Sequence, residues 1–207
     1  YLYIMQTQSI PDLSSTHLSQ LQQSIQDTFG IINTQELNHI IELFKWMPIK
    51  KGEIILRTNQ NCQAMYFILS GYIRVFVETA DKEVTQWIAN QNYFLTDLAS
   101  FMFDKPARWT FQALTDAEVY MINKDDYNRI KDFVPTWPEI ERVFICHCFT
   151  TLEDRVFSHL SMTAEERYHY FFQNNKELFN QVPLQYIASM LGMTAETFSR
   201  IRRKYPF

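Results

Sequence analysis

The chain has 207 residues, 46% apolar and 15% aromatic, enough for one large or two small folded units with real cores. Four glycines and seven prolines exclude a low-complexity or collagen-like chain, and no apolar run approaches the roughly 18 residues a membrane span needs. Net charge is −4, but after Val182 four basic residues (Arg200, Arg202, Arg203, Lys204) face the single acid Glu196, so a +3 end sits on a −7 body.

The opening YLYIMQTQSI has no basic flank and no small-residue cleavage site. It reads as a poor signal peptide, and a cytoplasmic location is expected. Cys62, Cys146 and Cys148 are an odd number, and the last two stand too close for an unstrained mutual disulfide. Reduced thiols are expected, too few within one chain for an iron–sulfur cluster.

Leu18, Leu21 and Ile25, then Leu37, Ile40, Ile41 and Phe44, recur at spacings of three and four and predict helices between 18 and 44. Asn33, ahead of Glu36, is placed to cap the second. At Pro48 the character changes. EIIL (53–56), MYFIL (65–69), YIRVFV (72–77), VTQWIA (84–89) and EVYMI (118–122) predict strands, with turn signals at Gly52, Gly71 and Asp81-Lys82. Short strands this close imply a sandwich, roll or small barrel, and DLASFMF (97–103) predicts a short helix embedded in it.

After Lys124 the chain returns to helix. Trp137-Pro138 opens a long one to about Leu160, with Pro138 in the first turn. Its stripe of Ile140, Phe144, Cys148, Thr151 and Leu152, with Val143, His147 and Val156 beside it, reads as a buried connector or as the seam of a homodimer. Thr163 and Glu166 form a capping-box pair that starts a helix through about Leu178.

The last segment, QVPLQYIASMLGMTAETFSRIRRKYPF, carries the densest signal. Pro183 fits a first helical position, and Leu184 to Met190 form a short helix. Counting from Leu184, a small residue falls fifth (Ala188), glycine ninth (Gly192), and apolar residues fifteenth and eighteenth (Phe198, Ile201). That is the helix-turn-helix pattern; the competing reading is an ordinary corner between two helices. Thr194 caps the second helix, whose outward face carries Ala195, Glu196, Ser199 and Arg200. An exposed arginine bonds a guanine edge through two donors, and a glutamate accepts from cytosine N4. Arg202, Arg203 and Lys204 read as phosphate contacts. The expected DNA-contacting set is Thr194, Ala195, Glu196, Thr197, Ser199, Arg200, Arg202, Arg203 and Lys204.

No catalytic or metal site is expected. All five histidines (17, 39, 147, 159, 169) fall outside the strand-rich block, which removes the ligands of a cupin-type metalloenzyme. Cys146, His147 and Cys148 point about 100° apart on a helix and cannot chelate one ion within a single chain.

IKKGEIIL (49–56), YFILSGYIRVFVE (66–78), the long helix and GMTAETFSRIRRK (192–204) together resemble the bacterial catabolite-activator/fumarate-nitrate-regulator (CRP/FNR) family over about residues 30 to 204. The resemblance implies an α+β chain in three parts. A β-roll sensor of cyclic-nucleotide-binding type (18–136) is followed by a dimerisation helix (137–160) and a winged-helix-like helix-turn-helix domain (161–207). It implies a transcription regulator rather than an enzyme, with double-stranded DNA, a second copy of the chain and RNA polymerase as partners and no membrane. Residues matching the base-reading positions are Ala195, Glu196 and Arg200; alanine at the first implies a different operator from relatives with arginine. The expectation is a domain without the β-hairpin wing that many relatives carry after the recognition helix.

Relatives that bind cyclic AMP place Gly-Glu before a short helix and then an arginine on the cyclic phosphate. Here the matching positions are Thr96 and Asp97, followed by Leu98, and Ala107 stands where the arginine belongs, with Arg108 one residue later. The expectation is weak or no cyclic AMP binding. A different small anionic effector, if any, would sit among Thr96, Asp97, Leu98 and Arg108. A sensor or interaction module that does not bind DNA is the alternative.

Overall fold

Two antiparallel four-stranded sheets build the N-terminal part of this computed structural model, which describes residues 15–30 and 32–205. The opening decapeptide lies outside the described residues. One sheet runs in the order β1 (Lys45–Ile49), β8 (Ala117–Asn123), β3 (Ala64–Ser70), β6 (Phe94–Leu95). The other runs β2 (Ile54–Leu56), β7 (Thr110–Ala113), β4 (Ile73–Glu78), β5 (Glu83–Ala89). Phe67, Ile68, Ile73, Phe111, Val119 and Ile122 are fully buried in one apolar core that both sheets share. The turn from β3 into β4 depends on Gly71, at φ +87°, where a Cβ would lie 2.5 Å from the Asp116 carbonyl oxygen. No other residue fits there without moving the backbone.

The five runs predicted as strands are β2, β3, β4, β5 and β8. The remaining three had weak sequence signals. Pro48 lies inside β1, which tolerates it as an edge strand, and β6 has only two residues. α3 (Leu98–Phe103) is the predicted embedded helix.

α1 (Ser15–Phe29) and α2 (Thr34–Glu42) precede the roll, and Asn33 Oδ1 accepts from the Glu36 amide at 2.9 Å as its position predicted. α4 (Lys124–Phe133) leads into α5 (Trp137–Ser161), the long helix. α6 (Ala164–Asn174) begins with both bonds of the Thr163–Glu166 capping box. It ends four residues before the predicted Leu178. The Asn174 and Asn175 side-chain amides donate to the carbonyls of Tyr170 and Phe171, at 2.9 and 3.0 Å, and stop the helix. A single turn, α7 (Leu178–Gln181), follows.

The stripe on α5 resolves into two faces. Phe144 stacks on Phe29, ring centroids 4.6 Å apart, and Trp137 stacks on the same ring, so this face is core. On a second face Phe149, Leu152, Val156 and Leu160, spaced three, four and four, are 50 to 82% exposed. Among the described residues no helix is long and apolar enough to cross a membrane.

Candidate nucleic-acid interface and effector cleft

α8 (Leu184–Met190) buries Ile187, Ala188 and Met190, and its N-cap is Pro183, one residue earlier than the first-turn position its sequence suggested. Gly192 takes φ +69°. The Met193 amide donates to the Ala188 carbonyl at 2.9 Å and the Gly192 amide to the Ser189 carbonyl at 3.0 Å. These two bonds make the left-handed glycine cap that turns the chain into the next helix. Two arginines close the same helix end. Arg155 donates to the Met190 carbonyl (3.1 Å) and Arg167 to the Leu191 carbonyl (3.0 Å), where the helix dipole favours positive charge.

α9 (Ala195–Lys204) starts at Thr194, whose side chain accepts from the Thr197 amide at 3.2 Å. Phe198 and Ile201 turn inward, and Phe198 packs against Phe179 and Tyr168. The outward face is open: Thr194, Ala195, Glu196, Ser199, Arg200, Arg203 and Lys204 are exposed, while Thr197 and Arg202 are half-buried. The Glu196 carboxyl is held below its usual range by its own backbone amide and the Thr194 hydroxyl, so it is anionic at the helix N-terminus. Lys204, expected as a phosphate contact, is paired here with Glu165 at 3.0 Å, and Tyr205 donates to the same carboxylate.

The helix pair rests on the outer face of the second sheet. Ser189 Oγ accepts from the Thr85 amide of β5 at 2.9 Å. Beside it the Arg74 side chain of β4 is 1% exposed, its guanidinium carbon 3.8 Å from the Tyr186 ring centroid and 4.1 Å from that of Phe76. Arg74 also donates to Thr85 Oγ1 (2.9 Å) and pairs with Glu83 (2.6 Å), so the buried charge is fully partnered. Ile88 and Leu114 of the roll share one apolar cluster with Ile187, Phe198 and Ile201. In sequence Arg74 reads as an ordinary polar strand residue, and only a partner 112 positions later covers it.

A cleft of about 770 Å³ lies between the roll and α5. The four expected effector residues, Thr96, Asp97, Leu98 and Arg108, all line it. The polar atoms of the first two are spent. Thr96 Oγ1 donates to the Ala64 carbonyl at 3.0 Å. Asp97, 3% exposed, accepts from the amides of Ser100 (3.1 Å), Arg108 (2.9 Å) and Trp109 (3.3 Å). Ala107 is buried, its backbone paired with Asn59 and Gln60, which leaves the exposed Arg108 to face the cleft. Trp87, Trp109, His147 and Cys148 were missed as wall residues; strands and helix bring them together from three parts of the chain. Arg155 also stands in this wall, 5.2 Å from the Trp87 ring, and burial lowers its pKa from the usual arginine range. Among the described residues no three His, Cys, Asp or Glu side chains group as metal ligands.

Residues 46–132 match the family model of the cyclic nucleotide-binding domain. Solved structures with the same fold include regulators of the CRP/FNR type. FixK2 from Bradyrhizobium japonicum is 16% identical with a TM-score of 0.65, over 78% of this chain and 83% of that one. The Thermus thermophilus catabolite activator protein is 19% identical with a TM-score of 0.54, over 86% and 85%. The regulatory domain of Toxoplasma gondii PKA, solved with cAMP, is 16% identical with a TM-score of 0.53, over 57% of this chain; the match spans under half, 46%, of that one. At these identities the likeness establishes the fold. A search of curated protein sequences found no match.

Proposed function

We propose that this chain is a sequence-specific DNA-binding transcription regulator of the CRP/FNR type, with α9 as its reading helix and the α5 cleft as the seat of a small effector. One observation carries the reading. A glycine-turned helix pair presents α9 with its apolar side buried and Glu196, Ser199, Arg200 and Arg203 exposed together. A helix of this size fits the major groove, where an outward arginine meets base edges. Arg200, one turn after Glu196, is the base-reading residue. Arg202 and Arg203 lie at the helix end, where phosphates pass. Lys204 joins them only after leaving Glu165.

The functional unit is a homodimer closed along α5. Phe149, Leu152, Val156 and Leu160 form an apolar seam with no covering element among the described residues, and their spacing suits a helix of a second copy. RNA polymerase is the further partner such a regulator meets at an activated promoter. A second reading, a sensor that does not bind DNA, draws on the docking of α8 against β5. Anisotropy with the upstream DNA of its own gene at two salt concentrations separates the two, since DNA binding through phosphates weakens steeply with salt.

A further inference from the structure

We infer that the α5 cleft binds a planar, apolar monocarboxylate, an aromatic or heteroaromatic acid, with Arg108 as its counter-charge. This rests on the reading of the cleft as an effector seat and specifies its chemistry. The volume of about 770 Å³ suits a small organic ligand. The wall is largely aromatic and aliphatic, with Trp87, Tyr93, Phe94, Trp109 and Phe144 contributing rings.

The polar groups select the charge. Among the described residues Asp97 is the only carboxylate in the wall, and three backbone amides occupy it. It has little acceptor capacity left for a sugar hydroxyl. Conversely, the amides of Ser100, Arg108 and Trp109 are consumed by Asp97 and cannot donate to a phosphate. The Ala107 amide is likewise bonded to Gln60. A cyclic phosphate would therefore lose these four backbone donors.

Of the two guanidiniums in the wall, Arg155 is committed to the Met190 carbonyl and the Trp87 ring. Arg108 is exposed at the cleft and has no ion-pair partner among the described residues. Its guanidinium carbon lies 6.0 Å from the Trp109 ring centroid. A flat ring stacked on Trp109 would place a substituent carboxylate within reach of that fork, and guanidinium matches a carboxylate through two parallel bonds. One uncommitted cation beside aromatic walls selects one negative charge on a flat apolar body.

The test is calorimetry on the full chain with indole-3-acetate, its neutral amide indole-3-acetamide, and cyclic AMP. Indole-3-acetate is expected to saturate below about 5 mM and to bind at least about ten-fold tighter than the amide. In Arg108→Gln that preference should shrink to about two-fold or less, with the melting temperature unchanged because the side chain is exposed. Equal affinity for acid and amide, no saturation, or a preference that survives Arg108→Gln overturns the inference. Tighter binding of cyclic AMP overturns the ligand class and leaves the effector seat standing. DNA affinity measured in the same samples isolates the other failure: an acid that binds through Arg108 yet leaves DNA affinity unchanged sinks the sensor reading alone.

Discussion

The Arg155 guanidinium donates to the Met190 carbonyl at 3.1 Å, so one side chain on the long helix holds the end of the first helix of the reading head. The same guanidinium lies over Trp87 in the cleft wall. The cleft and the C-terminal helix pair therefore share a half-buried, charged side chain between them. A ligand that moves Trp87 changes what holds α8, which is a physical route for coupling rather than mere proximity.

Arg155→Ala removes a charge-assisted bond and leaves the Met190 carbonyl without this donor. The expected cost is about 1–3 kcal/mol, read by thermal unfolding. Hydrogen exchange should rise mainly in α8 and the Gly192 turn. Exchange that rises evenly across the roll instead would show that Arg155 does not act at that joint.

Phe144 and Val156 separate the two faces of α5. Phe144→Ala, in the core against Phe29, should cost about 3–5 kcal/mol and leave the assembly state unchanged where the protein stays folded. Val156→Glu, on the exposed seam and outside the cleft wall, should convert dimer to monomer by light scattering with little loss of helix content. A wild type that is monomeric at micromolar concentration contradicts the dimer.

The acid limb of stability has a named contributor. The Glu166 carboxyl is held below the usual glutamate range, first by the Thr163 backbone amide and then by the Thr163 hydroxyl. A carboxyl whose folded pKa is depressed contributes fully above its unfolded pKa and loses that contribution as pH falls through the folded value. Glu166→Gln should therefore lower stability at neutral pH and flatten its decline below about pH 4.5. An unchanged acid limb in denaturant titrations would remove Glu166 from the account.

The glycine-turned helix pair was legible because its constraints are local: Ala188, Gly192 and Thr194 each meet a backbone requirement within a few residues. The roll was legible as five strands, and β1 was obscured by Pro48 at a sheet edge. What could not be read were long-range relationships. Thr96 and Asp97 line the cleft, but the use of their polar atoms depends on Ala64 and on the amides of Arg108 and Trp109 from other elements. Phe144 and Leu152 look like one stripe because eight residues bring the helix back to within about 80° of the same side, and only the position of Phe29 shows where the core lies.

The most direct test of the central claim is fluorescence anisotropy across a salt series on upstream and scrambled DNA, with wild type, Arg200→Ala and Arg203→Ala. Wild type should bind upstream DNA more tightly and weaken steeply with salt. Arg200→Ala should lose about 1–3 kcal/mol on upstream DNA and little on scrambled DNA. Arg203→Ala should weaken both and reduce the salt slope by about one unit. No preference for upstream DNA in the wild type, or full affinity in both variants, would contradict α9 as a reading helix and the DNA-binding function with it.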